Sequence, residues 1–325
     1  DSLQMLTSGS GSSLLTGAFI NETFNNLSNR AQRFIIIVTP YTVNESDEIR
    51  CPGIQTTIEV WVEPSPTMYF IPVQDTICDN DVTQIEMRSI TLPTLPVQFD
   101  YSLSAAFPDS VNIYNTQPGR TGYLSGGQIM ERIDNLSNRA QKVTFTVIPY
   151  TVTQDGTVRC TGSVYDVDIW VEPTPTMYLV PAEDVICDST VTNTEIGSIT
   201  QPTLPLRFDY TVTAEFPDSV SIVNTQPGRI GYLTGEKILE LLDNLRDRPQ
   251  KVTYTVLPYI VTQGGTVRCT GSLYSADVWV NPTPRATPVN VKPAICYADN
   301  TEILLFSPTV MTSGEVRFDY SISLP

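Results

Sequence analysis

The chain has 325 residues and 41% hydrophobic content, enough for about two or three domains with apolar cores. A net charge of −16 argues against nucleic acid or anionic membranes as partners, because both attract clustered positive charge. Histidine, the commonest general base, is absent, no catalytic motif replaces it, and the longest apolar run, 34–38, is too short to cross a bilayer. These features predict a protein with no enzymatic activity, no cofactor and no membrane insertion in this segment.

The sequence repeats with a period of 109 residues. The period is kept by two sets of cysteines and by the tryptophans: Cys51, Cys160 and Cys269; Cys78, Cys187 and Cys296; Trp61, Trp170 and Trp279. A unit of this length is a domain with its own core, not a solenoid turn. In chain order we predict the C-terminal part of a repeat at 1–69, complete repeats at 70–179 and 180–289, and the N-terminal part of a repeat at 290–325. Proline-rich stretches between them should act as semi-rigid spacers.

Within 180–289 the predicted elements run in the same order as in the preceding repeat. Short strands at "EDVIC" and "SVSIVN" flank a half-buried strand at "LRFDYTVTAEF", where apolar and polar residues alternate. The stretch 233–245, "LTGEKILELLDNL", has helical spacing and predicts a short crossover helix, as does its counterpart at 124–136. Further strands follow at "KVTYTVLPY" and "SADVWVNP". The whole predicts an all-β chain of tandem immunoglobulin-like sandwiches with one short helix per domain.

The cysteines predict disulfides, since none of the six has metal-ligand spacing. Cys160 could pair with Cys187 across a joint, or with Cys78 inside one repeat. If the first strand of a sandwich starts where its last strand begins, the second alternative is favoured, because a disulfide needs Cα atoms within about 7 Å. We therefore predict Cys78–Cys160, Cys187–Cys269, and Cys296 with Cys51 of the next unit. Buried free thiols are the alternative, and disulfides would indicate an oxidising, extracellular setting.

The two ends of the chain are complementary. The last residues "FDYSISLP" followed by the first residues "DSLQML" nearly reproduce "FDYSLSAAFPDSVNIY" of a complete repeat. Segment 290–325 and segment 1–69 of the next unit therefore make one whole domain. We predict that copies continue end to end, either in one long chain or, as the alternative, as subunits of a pilus-like fibre that donate strands to one another.

The motifs "LPLRFDYTVTAEF", "QKVTYTVLPY", "RCTGS" and "DVWVNPTP" carry a family resemblance. The sequence resembles the PKD-like and immunoglobulin-like repeats of giant Bacteroidetes cell-surface proteins, including type 9-secreted, gliding-motility adhesins. It departs from true PKD domains because it lacks a "WDFGDG"-type turn. The resemblance implies an extracellular stalk or filament without catalytic residues, with surface glycans or other cells as its ligands. It also implies O-glycosylation at Asp-Ser/Thr motifs: Ser2, Thr76, Ser110, Ser189 and Ser219.

Two further readings concern ligands. Acidic residues near the joints could coordinate Ca²⁺ and stiffen a ligand-binding adhesin module, and the candidates are Asp79, Asp81 and Asp188, with Asp75, Asp184 and Glu172 nearby. A solvated acidic surface is the competing explanation and the one we favour, because no DxDxDG-type loop occurs. The periodic tryptophans could form a carbohydrate platform, but their place in predicted strands favours the core. The leading hypothesis is thus a structural stalk or filament segment.

Overall fold

The computed structural model describes residues 2–7, 9–71, 74–117, 119–226 and 228–324. The predicted seam between Pro325 and Asp1 lies outside these residues. The chain divides into two compact units, one formed by 1–136 with 141–171 and the other by 137–140 with 172–325. The described residues form strands and turns, and their only helical segments are two 3₁₀ turns, Pro108–Ser110 and Pro217–Ser219. The predicted all-β class is therefore confirmed.

The first unit holds the incomplete repeat 1–69 and most of the first complete repeat. Its strands are β1 Leu3–Met5, β2 Phe24–Asn26, β3 Gln32–Val38, β4 Tyr41–Val43, β5 Ile49–Pro52, β6 Thr56–Val62, β7 Met68–Ile71, β8 Thr76–Cys78, β9 Ile85–Ser89, β10 Val97–Ala105, β11 Val111–Asn115, β12 Tyr123–Leu124, β13 Gln128–Ile129, β14 Glu131–Asn135, β15 Gln141–Val152, β16 Val158–Thr161 and β17 Tyr165–Glu172. Among the described residues before β7, the strands pair two by two, as β1–β2, β3–β6 and β4–β5.

The complete repeat of the first unit has two facing layers. The larger sheet has the order β12-β10-β15-β17-β8, with β16 beside β15, and the smaller sheets are β13-β9-β7 and β11-β14. The inward residues of β15 alternate with outward threonines, so Val143, Phe145 and Val147 are fully buried. Ile85, Met87 and Ile133 meet them from the smaller sheets in one apolar core.

The second unit contains the other complete repeat and residues 290–324. Its strands are β18 Tyr178–Val180, β19 Val185–Cys187, β20 Thr190–Val191, β21 Thr194–Gly197, β22 Leu206–Ala214, β23 Val220–Asn224, β24 Lys237–Ile238, β25 Glu240–Asn244, β26 Gln250–Val261, β27 Val267–Thr270, β28 Tyr274–Asn281, β29 Val289–Asn290 and β30 Ile303–Leu304.

The architecture of the second complete repeat follows the first. The larger sheet is β19-β28-β26-β22 with β27 beside β26, and it faces β18-β21-β24 and β20-β25-β23. Its long central strand β26 buries Val252, Tyr254 and Val256 completely. Strand β19 runs parallel to the end of β28, whereas β26 pairs antiparallel with β22, β27 and β28. Residues 305–324 form no strand.

The predicted crossover helix is wrong. Both candidate segments are extended: 233–245 contains β24 and β25, and 124–136 contains β13 and β14. In β24 and β25 the buried side chains are Ile238, Glu240, Leu242 and Asn244, which is a period of two. Two of these inward residues, Glu240 and Asn244, are polar. The hydrophobic residues alone therefore do not show a period of two, and the spacing of the leucines resembles that of a helix.

The joints between repeats as the candidate functional site

Three stretches connect the end of one repeat to the start of the next, and we call them joints: 63–67, 172–176 and 281–285. In the first two joints the prolines are buried, namely Pro64, Pro66, Pro173 and Pro175. Proline fixes its own φ angle, so burial of these rings leaves the joint few conformations. The predicted semi-rigid spacers are therefore short segments packed against the protein.

Each joint begins with a side chain that accepts hydrogen bonds from the following repeat. The Glu63 carboxylate accepts the backbone N–H of Thr94 at 2.9 Å and also its hydroxyl. Thr203 donates its N–H to Glu172 at 3.0 Å and its hydroxyl to the same carboxylate. A third pair has an amide acceptor, because Asn281 accepts the N–H of Thr312 at 2.9 Å and its hydroxyl. We call these three pairs the joint clasps.

The clasps differ in how far they are shielded from water. The Glu172 side chain is fully buried and Asn281 is 9% exposed, whereas Glu63 is half-buried. A hydrogen bond to a charged group is worth more than a neutral one when solvent cannot replace the donor. The Glu172 clasp is therefore the one whose loss should cost the most.

A second threonine reinforces each joint. The backbone N–H of Thr176 donates to the hydroxyl oxygen of Thr200 at 2.8 Å, and the N–H of Arg285 donates to that of Thr309 at 3.0 Å. Thr67 and Thr91 make the corresponding, longer bond in the first joint. The accepting threonines are nearly buried, so the backbone of the joint is held by side chains of the repeat that follows it.

A loop from the preceding repeat pairs with the same following segment. In the first joint the N–H of Leu92 donates to the carbonyl of Asn29 at 2.7 Å. Gln201 donates to Asn138 at 2.7 Å in the second, and Val310 donates to Asp247 at 2.9 Å in the third. Backbone groups thus tie consecutive repeats together at three equivalent places, where the loop reads NLSNRA at 26–31 and at 135–140 and NLRDRP at 244–249.

Asparagine side chains anchor these loops to the strand that enters the joint. The side-chain N–H groups of Asn26, Asn135 and Asn244 donate to the carbonyls of Val62, Val171 and Val280 at 2.8, 2.9 and 2.7 Å. Each asparagine ends a strand of the smaller sheets, so this bond links both layers of a repeat at its exit. Two of these anchors, Asn135 and Asn244, lie in the recurring sequence "DNL", whose role could not be predicted from the sequence alone.

At the other end of each complete repeat, a glycine lies directly on the preceding joint. A Cβ atom on Gly271 would come within 2.0 Å of the carbonyl oxygen of Pro175, and one on Gly162 within 2.0 Å of that of Pro66. Only glycine permits such an approach of two backbones. The "CTGS" turn is therefore required by the joint.

Each complete repeat also contains a buried ionic cluster. The buried Glu240 carboxylate accepts hydrogen bonds from Tyr210 at 2.9 Å and from Arg229 at 2.8 and 3.0 Å. The hydrogen bond with Glu240 raises the pKa of Arg229, and burial raises the pKa of Tyr210. Tyr101, Glu131 and Arg120 form the same cluster in the first complete repeat. The cluster is fully paired and has a structural role.

The predicted disulfides within repeats are wrong. Cys187 lies opposite Asn281, at the end of β28 and next to the start of β26 at Gln250. Cys269 lies opposite Ile260, ten residues further along β26, which separates the two cysteines by roughly 30 Å. The first strand of a repeat therefore lies beside the end of its last strand, the reverse of what the sequence analysis assumed.

The state of the cysteines agrees with this geometry. Cys78 and Cys269 are disulfide-bonded, and the free thiols are Cys51, Cys160, Cys187 and Cys296. Cys160 and Cys187 thus lack the partners predicted for them. The same register argues against the third predicted pair, because Cys296 and Cys51 of the next unit would occupy opposite ends of a completed repeat. The third pair stays a prediction.

The three aspartates predicted as calcium ligands each accept a hydrogen bond from a backbone N–H group instead of converging on a shared site. Asp79 accepts the N–H of Asn135 at 2.8 Å, Asp81 accepts that of Cys78 at 3.2 Å, and Asp188 accepts that of Asn244 at 2.7 Å. Burial raises the pKa of Asp188, but hydrogen bonds from Thr283 and Asn244 outweigh it and hold that pKa below its usual value. Among the described residues, no group of three acidic, cysteine or histidine side chains could hold a metal ion.

The candidate glycosylation sites fall into two groups. Thr76 and Ser219 are 8% and 2% exposed, so their hydroxyls are not accessible in the folded chain. Ser2 and Ser189 are exposed and Ser110 is half-buried. Attachment of a sugar to the folded protein is therefore sterically open at three of the five predicted positions.

The tryptophans lie in strands as predicted, but they are not core residues. Trp61, Trp170 and Trp279 are 50%, 38% and 36% exposed because they point away from the core on β6, β17 and β28. Trp279 borders a shallow cavity of about 470 Å³ that is also lined by Arg248, Pro249 and residues 310–312. The placement in the core was wrong because period-two strands present half of their side chains outward.

Comparison with known proteins leaves the chain without an assigned family. No protein-family model matches it, and no curated protein matches it. Among solved structures it is similar to FdeC, an Escherichia coli adhesin, with 14% identity, 75% of this chain and 73% of that chain covered, and a TM-score of 0.28. Domains 4 and 5 of the S-layer protein SbsC are 8% identical, with 56% of this chain and 76% of that chain covered and a TM-score of 0.23. The human desmocollin-1 ectodomain is 8% identical, with 80% of this chain and 50% of that chain covered and a TM-score of 0.34. At such scores the likeness says nothing about function.

The described part of the chain contains no helix long and apolar enough to cross a membrane.

Proposed function

We propose that the chain is a non-catalytic, structural segment of a long extracellular protein at the cell surface, serving as the stalk of an adhesin or as a filament. The observation that carries the proposal is the threefold repetition of the joint clasp. Glu63, Glu172 and Asn281 occupy equivalent positions, and each accepts two hydrogen bonds from a threonine of the next repeat. These hydrogen bonds restrict the joints, which suits a stalk or filament and does not suit a protein whose domains must move freely.

Composition supports the same function. The surface is strongly acidic, which favours solubility and disfavours binding to nucleic acid or to anionic membranes. The buried Glu240 and Glu131 have all their partners within their own repeat, so they are not poised for chemistry. The cavity beside Trp279 is shallow, its described lining includes no general base, and the one hydroxyl in that lining, on Thr312, is donated to Asn281.

The proposal extends to the family resemblance. The repeat motifs favour a giant Bacteroidetes protein with PKD-like and immunoglobulin-like repeats, exported by type 9 secretion and related to gliding-motility adhesins. Surface glycans or other cells would be the ligands of such a protein, and O-glycans would occupy Ser2, Ser110 and Ser189. A calcium-stiffened module is the weaker candidate, because Asp79, Asp81 and Asp188 are committed to backbone hydrogen bonds.

Antibodies against this chain test the proposal on intact source cells. We expect labelling without permeabilisation, removal of the label by external protease, and loss of surface label when type 9 secretion is inactivated. Labelling only after permeabilisation would contradict an extracellular role. Surface labelling that survives the loss of type 9 secretion would leave the structural role intact and remove the family assignment.

A further inference from the structure

A cavity of about 410 Å³ lies on the outer face of the larger sheet in the second complete repeat. It is bounded by β22, by β26 and by the turn 262–266, which joins β26 to β27. The residues that line it all fall within 205–270, inside one complete sandwich. A cavity of this size can hold a small ligand or one unit of a polymer.

The alternation of β22 and β26 places polar side chains on the floor of this cavity. Phe208 and Tyr210 face the core, so Arg207 and Asp209 lie on the outer face of β22. On β26 the outward Tyr259 lies directly opposite Arg207. A guanidinium, a carboxylate and a phenol ring are therefore neighbours on two paired strands.

The β26–β27 hairpin departs from the regular sheet beside this floor. The register between the two strands shifts between Ile260 and Val261, and both of these side chains are buried. Such a bulge bends the strand that contains it. In the turn that follows, the N–H of Thr262 donates to the carbonyl of Thr266 at 2.8 Å, and the exposed Gln263 lies between them. The hairpin thus forms one wall of the cavity.

The polar groups of the floor are only partly engaged within the protein. Asp209 accepts the hydroxyl of Tyr259 at 2.7 Å and the N–H of Gly231 at 2.8 Å, and both bonds end on Oδ1. Its Oδ2 atom accepts no hydrogen bond from the described residues. Arg207 is half-buried and, unlike the paired Arg229, has no carboxylate within ion-pair distance in the described part of the chain. A donor and an acceptor are therefore open to a ligand side by side.

This set of groups favours a ligand with neighbouring hydroxyls. Arg207 can only donate hydrogen bonds and Asp209 can only accept them, whereas a hydroxyl can do either. The ring of Tyr259 is fixed through its own hydroxyl and adds an apolar surface, against which the C–H groups of a sugar ring can pack. The negative charge of Asp209 repels an anionic ligand at the same point. A neutral saccharide meets each of these conditions.

The first complete repeat keeps the same arrangement with one difference. Tyr150 donates its hydroxyl to Asp100 at 2.7 Å, and Gly122 donates its N–H to the same oxygen at 2.8 Å. The position of Arg207 is taken by Gln98, whose side-chain oxygen lies 3.3 Å from the Tyr150 hydroxyl. The first repeat therefore lacks the charged donor of the second.

We propose that the cavity of the second complete repeat binds a neutral saccharide, with Arg207 donating to one hydroxyl, Asp209 Oδ2 accepting the next, and the sugar ring lying against Tyr259. The proposal deepens the function given above, on which it rests, by giving the extracellular segment a saccharide site of its own. One strong site per chain is expected, because the first complete repeat carries Gln98 in place of Arg207.

Amide NMR of the full chain follows both repeats in one titration. The probes are cellohexaose, mannohexaose, xylohexaose and maltohexaose, and the acidic control is oligogalacturonate. We expect at least one neutral probe to shift the amide of Gly231, which donates to Asp209, in a saturable manner. The equivalent amide of Gly122 should stay in place, and oligogalacturonate should give no saturable shift at Gly231.

Reciprocal substitutions test the guanidinium. Arg207→Gln gives the second repeat the residue that the first already carries, so the fold should be kept. We expect its dissociation constant to rise at least about 10-fold, because a charge-assisted donor is lost. Gln98→Arg should create a second site and make the Gly122 amide shift. Lys237→Gln removes an exposed positive charge from the opposite layer and should bind as the unchanged chain does.

The absence of a saturable Gly231 shift with every neutral probe would overturn the proposal, as would an Arg207→Gln chain that binds as tightly as the unchanged one. Tighter binding of oligogalacturonate would overturn the assignment to neutral saccharides. None of these results affects the antibody labelling of intact cells, so the saccharide site and the extracellular structural role fail separately.

Discussion

The complete and incomplete repeats contain nearly the same strand sequences in different surroundings. In the complete repeat 180–289, Phe208 is fully buried and Tyr210 nearly so, and both belong to the nine-residue strand β22. The same "RFDY" sequence at 317–320 forms no strand, and Tyr320 is among the most exposed side chains of the chain. Strand formation here depends on the partner strand and on a second layer, far more than on local preference.

This contrast shows that strand sequences alone do not make a stable repeat, which also needs partner strands and a second layer. The incomplete repeat 1–69 forms hairpin-like pairs, β3–β6 and β4–β5, but among its described residues these pairs enclose no buried core cluster. Two-stranded ribbons alone are marginally stable in water.

The largest expected effect comes from the paired tyrosines. Tyr210→Ala should lower the free energy of unfolding of its repeat by about 3–5 kcal/mol, because it opens a core cavity and removes a donor from Glu240. Tyr320→Ala should change the stability by less than about 0.5 kcal/mol, because this side chain is 83% exposed. Hydrogen exchange of peptides from β22 and β26 measures both. Similar losses of stability for the two variants would contradict the difference between the buried Tyr210 and the exposed Tyr320.

The joint clasps should come next. Thr203→Val removes a hydroxyl that donates to the buried Glu172 carboxylate and should cost about 1.5–3 kcal/mol. Thr94→Val, at the half-buried Glu63 of the incomplete repeat, should cost less because water can reach that carboxylate. Urea denaturation of the matched variants compares them, and an equal cost would mean that shielding at the joint is unimportant.

The turn glycines follow. Gly271→Ala should destabilise the chain by about 1–3 kcal/mol, because its Cβ would overlap the carbonyl oxygen of Pro175. Gly53 is its counterpart in 1–69, where the nearest backbone oxygen is 3.1 Å away, so Gly53→Ala should cost less. Gly228→Ala meets nothing within 4 Å and serves as the control in thermal unfolding.

An alkaline effect should be confined to the complete repeats that bury the tyrosines. Burial, followed by hydrogen bonds to Asp100 and Asp209, raises the pKa of Tyr150 and of Tyr259 to about 12. The folded state therefore keeps these protons while the unfolded state releases them near pH 10, so stability should fall between about pH 10 and 12. Urea midpoints across this range measure the fall, which the double variant Tyr150→Phe with Tyr259→Phe should reduce. An unchanged slope in that variant would assign the effect to other groups.

The free thiols should have the smallest effect. We expect four maleimide-reactive thiols per unreduced chain, with Cys160 slower than the three exposed cysteines, and six after reduction under denaturing conditions. Blocking the exposed thiols should change stability by less than about 0.5 kcal/mol. A count of two reactive thiols or none before reduction would contradict the assignment of four free cysteines.

Much of the fold was predictable because the 109-residue period and the alternation of apolar and polar residues within strands are both visible in the sequence itself. The joint clasps were not, since Glu172 and Thr203 are 31 residues apart and gain meaning only when the chain folds back. Strand β25 was predicted as a helix because two of its buried residues, Glu240 and Asn244, are polar and interrupt the period-two hydrophobic pattern. The cysteine pairing failed on topology, because no sequence pattern shows that β19 lies parallel to the end of β28.

That parallel pair has a mechanical consequence. Strand β19 near the start of a repeat and strand β28 at its end run in the same direction, with Val185 opposite Trp279 and Cys187 opposite Asn281. Tension applied through the two joints pulls these strands past one another along their axes. The interstrand hydrogen bonds then lie across the direction of force and must break together instead of one after another. A repeat built in this way resists unfolding when it is pulled from its two ends.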